Sequence, residues 1–209
     1  MKKIISIIKD NRFFFSGYCL FILYLGCLLI FFSKATGFLL LNSYHNNLLD
    51  QFFKIYTYIG DGLFSVAVFL LLLVAGRRLL AVEVILCYAI SGIISPICKN
   101  IFSTPRPKAY LQQHNIDYIY SNSIELAGNT SFPSGHTISV FALAAILAFN
   151  AKNKWLGFFL FLAAAIVAYS RIYLGVHFPE DVLGGSVIGV ITSLFVYRYF
   201  AYSYKGKLK

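Results

Sequence analysis

The sequence predicts an all-α membrane protein: one domain over residues 1–209, built as a six-transmembrane-helix bundle with a polar site at its outer membrane–water boundary. Three observations carry this. Hydrophobic residues make up 59% of the 209 and charged residues 12%. That charged share is about half that of a soluble domain, too little to cover a surface facing water. Six apolar segments follow one another: Phe13–Phe32, Leu63–Gly76, Leu79–Cys98, His136–Phe149, Trp155–Ser170 and Val182–Phe200. Clusters rich in Lys, Arg and His break the pattern at the segment ends.

Phe13–Phe32 carries no charge, and its length suffices to cross a bilayer core of about 30 Å at 1.5 Å rise per residue. Lys2, Lys3, Lys9 and Arg12 precede it as in a signal peptide, but the run is too long and no A-x-A-like cleavage site follows, so a retained first span is expected. Several later segments fall short of the ~20 residues a crossing needs, so their helices are expected to begin in the adjoining loops. Between the first two, Asn42–Gly62 interleaves apolar and aromatic residues with polar ones, the pattern of an interfacial helix.

Six crossings return both termini to one side, with Lys2, Lys3, Lys9, Arg12, Arg77, Arg78, Lys152, Lys154, Arg198, Lys205, Lys207 and Lys209. Lys34, Lys54, Lys99, Arg106, Lys108 and Arg171 fall on the other. This excess predicts cytoplasmic termini in a bacterial inner membrane by the positive-inside rule. The net charge of +10 is therefore read as orientation charge. Nucleic acid is not an expected partner, because the basic residues form short clusters between apolar runs and no nucleic-acid fold signature is present. Cys19, Cys27, Cys87 and Cys98 lack CxxC spacing and the four histidines lack HExxH spacing, so neither a disulfide framework, a metal site nor a cofactor is expected.

Three clusters hold the chemistry. Lys99 to Arg106-Pro107 closes the third segment, Pro133-Ser134-Gly135-His136 opens the fourth, and Ser170-Arg171, His177 and Asp181 join the fifth to the sixth. Parity of crossings brings all three to one face. The collection suits phosphoryl transfer, in which fixed cations and N–H donors stabilise charge spread over the phosphoryl oxygens. Lys99, Arg106 and Arg171 supply the cations, the arginines with paired donors. Ser134 and Gly135 precede a helix, where the first-turn amides and the helix dipole favour an anion.

Two histidines remain for the two ends of an in-line displacement. Asp181, four residues after His177, can hold one ring nitrogen so that the other attacks, from a helical face or from a turn if Pro179 delays the helix. His136, on the phosphate-binding turn, is the general acid. Outside the clusters, Glu83 lies inside the third span near its inner end, where it either needs a polar partner or a role or is a simple interfacial residue. Asp61, at the outer start of the second span, either helps to order the site or, between its glycines, makes an ordinary turn; Glu180 reads as a solvated neighbour and Asn129-Thr130-Ser131 as a chance sequon.

The strings K-x6-RP (Lys99 to Pro107), PSGH (Pro133 to His136) and SR-x5-H-x3-D (Ser170 to Asp181) match every position of a three-part signature. By it the chain resembles the type 2 phosphatidic acid phosphatase superfamily. The resemblance implies a six-helix membrane fold, a phosphohistidine on His177 partnered by Asp181, and His136 as acid. It also implies a phosphate pocket of Lys99, Arg106, Ser134, Gly135 and Arg171, with no metal. The implied substrate is a membrane lipid phosphate or diphosphate: an isoprenoid diphosphate, phosphatidylglycerol phosphate, phosphatidate or a lipid A-type glycolipid phosphate. Two alternatives compete. Vanadium-dependent haloperoxidases share the signature but are soluble, which the spans oppose. A non-enzymatic anion or lipid transporter leaves the complete set of nucleophile, acid and orienting carboxylate unexplained.

Overall fold

The computed structural model describes residues 4–116, 130–201 and 203, and its regular elements are helical. The chain opens with α1 (Ile4–Asp10), α2 (Arg12–Phe31), α3 (Lys34–Asn42) and α4 (Asn47–Tyr56). A 3₁₀ turn, Thr57–Gly60, leads into α5 (Gly62–Val74). Then follow α6 (Arg78–Phe102), α7 (Pro107–Gln113), α8 (Gly135–Asn150), α9 (Leu156–Tyr173) and α10 (Pro179–Phe200). Lys2, Lys3, Lys205, Lys207 and Lys209 of the charge count, most of the loop after His114, and Asn129 of the sequon lie outside the described residues.

Local chemistry sets the starts. Ser33 Oγ, Asn46 Oδ1 and Asp61 Oδ1 accept from the amides of Thr36, Leu49 and Leu63, each satisfying one donor that the first turn leaves open. Asp61 caps α5 and also lies within electrostatic reach of Arg171. Pro107 and Pro179 open α7 and α10, where a missing N–H costs nothing and φ is already helical.

Every apolar segment becomes a helix, but the crossings differ. Four helices, α2, α6, α9 and α10, are long and apolar enough to span a membrane. The stretch read as an interfacial helix folds as α4 and the 3₁₀ turn. It joins α5 at a 57° bend, and counting that broken pair brings the spans to five. The sixth expected crossing, α8, has 16 residues, about 24 Å of helix. Length and composition therefore support four or five crossings where the sequence reading counted six. The reason lies in burial: Phe141, Ala142, Ala145, Ile146 and Ala148 of α8 are enclosed by protein, so α8 need not match the hydrocarbon thickness. The periphery is the opposite, with Leu20, Ile30, Leu71, Val74, Ile93 and Phe159 exposed. So large an apolar surface belongs against acyl chains rather than water, and the chain is an integral membrane protein.

α8 is the axis of the bundle. A Cβ on Gly189 of α10 would stand 2.5 Å from the Ile138 carbonyl oxygen and 2.9 Å from the Ala142 nitrogen. Only glycine permits so close an approach of the two backbones. Ser193 Oγ donates to the Ala142 carbonyl at 2.7 Å across the same contact. Phe14 sets its ring edge-on to Phe149 and Phe161, at centroid distances of 6.0 and 6.2 Å, which ties α2 to α8 and α9. At the C-terminal end of α8, Asn150 Nδ2 donates to Glu83 Oε2 at 2.5 Å. Buried Glu83 therefore has its polar partner at the end of α8 away from the site.

Candidate active site

One end of the bundle stitches the three clusters together. Pro105 and Thr130 form an antiparallel bridge. Ser131 N donates to the Thr104 carbonyl at 2.8 Å, and Phe132 N to Thr104 Oγ1 at 3.0 Å. Ser134 N donates to the Asp181 carbonyl at 3.1 Å. The chain after α6, the start of α8 and the start of α10 are thereby held in one layer.

The end of α9 is fixed with equal care. Asn42 Nδ2 donates to the carbonyls of Ile172 and Tyr173 at 2.9 and 2.7 Å, supplying acceptors in the last turn with a donor. Gly175, at φ 69°, makes a left-handed turn that a side chain would oppose. The amides of Val176 and His177 both donate to the Arg171 carbonyl at 3.1 Å. The chain reverses, and His177 stands before α10 instead of within it. Pro179 does delay the helix.

His177 is buried, with Nδ1 3.4 Å from Asp181 Oδ2 and 3.4 Å from Ser131 Oγ. Asp181 is wholly buried at the third position of α10. Its Oδ2 accepts from Phe178 N at 2.8 Å, the reciprocal half of a capping box, and from Ser131 Oγ at 2.5 Å. The carboxylate is therefore oriented by backbone and hydroxyl as well as by the imidazole. Burial pushes His177 down to about 4, with Arg171 and Arg106 adding to the push and Asp181 opposing it. The ring is neutral at physiological pH and keeps a lone pair.

Around it stand the cations. Arg106 is buried, with Nη1 3.4 Å from the Val176 carbonyl. Burial lowers its pKa from the usual value and the Asp181 carboxylate pulls it back. Arg171 is also buried and donates from Nη1 to Thr57 Oγ1 at 2.7 Å. Its Nε makes no hydrogen bond among the described residues, an orphaned donor of the kind an anion would satisfy. Lys99, in the last turn of α6, lies within electrostatic reach of Arg106, Arg171 and Asp181. His136, in the first turn of α8, lies within reach of His177 and all three cations. The catalytic and phosphate-binding candidates of the three clusters are gathered here, whereas Glu83 is not.

Ser134 takes a narrower part than expected. Its N–H is engaged by Asp181, and its hydroxyl accepts from Thr137 N at 3.4 Å and Thr137 Oγ1 at 2.9 Å. It caps α8 and holds α10. The amides left for an anion are those of Gly135 and His136, which have no intrahelical acceptor. Ser131 and Thr57 escaped the sequence reading. Ser131 was visible only as the end of an apparent sequon, and Thr57 only as one polar residue in an aromatic stretch. Glu180 differs from expectation too: it pairs with Lys34 at 2.7 Å, and that ammonium lies 4.2 Å from the Phe178 ring centroid. Among the described residues no three His, Cys, Asp or Glu side chains are grouped to hold a metal ion.

The comparisons agree with this architecture. Residues 80–205 match the PAP2 superfamily. The chain is 36% identical over 119 residues to the putative undecaprenyl-diphosphatase YbjG of Escherichia coli, covering 56% of each protein. It spans little more than half the length of the first curated relatives it matches. It is 30% identical over 173 residues to the lipid A 4'-phosphatase of Porphyromonas gingivalis, covering 79% of this chain and 72% of that one. The crystal structure of Aquifex aeolicus LpxE superposes with a TM-score of 0.71 at 30% identity, over 82% of this chain and 99% of that one. With the family match covering more than half its length, including all three polar clusters, the chain belongs to the PAP2 superfamily.

Proposed function

We propose that this protein is a metal-independent membrane phosphatase that hydrolyses a lipid phosphate or diphosphate through a phosphohistidine on His177. One observation carries the reading: a buried neutral imidazole, backed by a buried carboxylate, stands beside three cations and the open amides of a helix N-terminus. Lys99, Arg106, Arg171 and the Gly135 and His136 amides hold the phosphoryl oxygens, with Ser134 shaping the turn. Asp181 keeps the proton on His177 Nδ1, and Nε2 attacks phosphorus. His136 protonates the departing lipid oxygen, then takes the proton from the water that cleaves the N–P bond. Names among the relatives point to undecaprenyl diphosphate and the 4'-phosphate of lipid A as substrate chemistries.

The tail of such a lipid stays in the bilayer and the phosphate enters sideways between helices. This avoids exposing the tail to water, at about 0.8 kcal/mol per CH₂. By the charge bias the site faces outward from a bacterial inner membrane. In a cysteine-free background, a cysteine at His114 should label from outside intact cells and one at Asn153 should not; the reverse pattern places the site in the cytoplasm. The activity test is release of inorganic phosphate from lipid phosphates in mixed micelles containing EDTA. The wild type should turn over and His177→Ala should not. An inactive wild type across the panel, or an equally active folded His177→Ala, refutes the reading.

A further inference from the structure

A cavity of about 240 Å³ adjoins the site between α5, α6 and α8. It lies on the His136 side: His136 and Gly135 line it, whereas His177, Lys99, Arg106 and Arg171 do not. It is smaller than the ~300–1,000 Å³ pockets that hold drug-sized ligands, so it fits a head-group fragment and not a whole lipid. The rest of its wall is uncharged and hydroxyl-rich, with Tyr88, Ser91, Ser95 and Ser139. Ser95 Oγ lies only 3.6 Å from where a Cβ on Gly135 would be, so the hydroxyls reach the phosphate-binding turn itself. Ser91 is 2% exposed and its Oγ has no hydrogen-bond partner among the described residues. A buried hydroxyl without a partner is costly and marks a place for a ligand atom. Gly92, which also lines the cavity, is exposed, and a Cβ there would meet nothing within 4 Å among the described residues.

Resting on the phosphatase reading above, we propose that this cavity receives the leaving group, and that the leaving group is an uncharged, hydroxyl-bearing unit such as an acylated sugar or a glycerol. In-line displacement puts the leaving oxygen opposite His177, on the side of the acid that protonates it. Whatever is attached to that oxygen then lies beyond His136, where the cavity is. The P–O bond breaks, its electrons and the His136 proton stay with the departing oxygen, and a neutral alcohol remains among the serine hydroxyls. A diphosphate would instead leave a lipid phosphate there, an anion against a wall with no Lys or Arg, and burying an unpaired charge is strongly disfavoured. Hydroxyl-to-hydroxyl hydrogen bonds satisfy both partners, Ser91 included.

The test measures kcat/KM in mixed micelles for three lipids of equal tail length: a glycosyl or glycerol phosphomonoester, an isoprenoid monophosphate and an isoprenoid diphosphate. The hydroxyl-bearing monoester should exceed the diphosphate at least tenfold. Ser91→Ala should lower kcat/KM for that monoester at least fivefold more than for the isoprenoid monophosphate, mostly through KM. Turnover of the isoprenoid monophosphate by the variant reports that it is folded. A diphosphate that equals or exceeds the monoester overturns the inference and leaves the phosphatase reading standing, as does an equal effect of Ser91→Ala on every substrate. A wild type that releases phosphate from none of the three overturns both.

Discussion

Ser131 Oγ donates to Asp181 Oδ2 at 2.5 Å while standing 3.4 Å from His177 Nδ1, so one hydroxyl touches both the proposed nucleophile and the carboxylate beside it. Removing it leaves Asp181 with the Phe178 amide but frees the carboxylate to turn from the imidazole. A hydrogen bond to a charged group is worth about 1.5–3 kcal/mol. Ser131→Ala should therefore lower kcat/KM roughly 10- to 100-fold and lower thermal stability as well. Activity within twofold of wild type would remove Ser131 from the account.

The phosphate cradle can be tested without turnover. Arg171 offers a buried Nε that has no hydrogen-bond partner among the described residues, so an oxyanion that binds there stabilises the fold by mass action. Vanadate or phosphate at 100 times its Kd should add about 2.7 kcal/mol, read as a rise in Tm in detergent with EDTA present. Arg171→Lys keeps the charge but loses the fork and should weaken this stabilisation strongly. An unchanged rise in the variant would contradict the assignment.

Protonation of His177 removes its lone pair. With its pKa pushed down to about 4, the nucleophile survives acidification well below 6.5. The enzyme's own acid limb in kcat/KM should therefore lie near pH 4. Asp181 pulls this pKa upward, so Asp181→Asn should move the limb lower still while reducing the plateau. Linkage has a matching sign: the unfolded chain takes up a proton that folded His177 refuses. The stability it contributes is complete above about 6.5 and is lost as pH falls towards 4. Profiles on two substrates with different phosphate pKa values separate the limbs. An enzyme limb fixed near 6.5 would contradict the burial argument.

Packing of α10 on α8 depends on Gly189, where a Cβ would meet backbone atoms at 2.5 and 2.9 Å. Gly189→Ala should destabilise by about 1–3 kcal/mol. A Cβ on Gly26, in α2, would meet nothing within 4 Å among the described residues outside its own helix backbone, and alanine there should be neutral or slightly stabilising. Thermal unfolding of both variants in one detergent checks the contrast, and equal Tm values would show that the close approach is not needed.

Most of the site was legible because phosphoryl chemistry demands residue types that an apolar chain shows starkly. Lys99, Arg106, His136, Arg171, His177 and Asp181 stand out against hydrocarbon, and parity of crossings alone predicts their convergence. Ser131 and Thr57 were hidden because a hydroxyl residue near a helix end has many ordinary uses, and only distance reveals which one applies. Ser134 was half legible. Its place before a helix could be read, but not that Asp181 engages its amide from α10. Length and composition leave α8 undecided as a crossing for a tertiary reason, since burial by neighbours releases a helix from matching the bilayer. Glu180 was misread because its partner Lys34 is distant in sequence.

The covalent intermediate tests the central claim most directly. Purified protein is mixed with a lipid substrate carrying labelled phosphate, quenched in base to preserve an acid-labile N–P bond, digested, and mapped by mass spectrometry. The account predicts label on His177, absent from His177→Ala. Label on another residue, or sustained turnover by a folded His177→Ala variant, would contradict it.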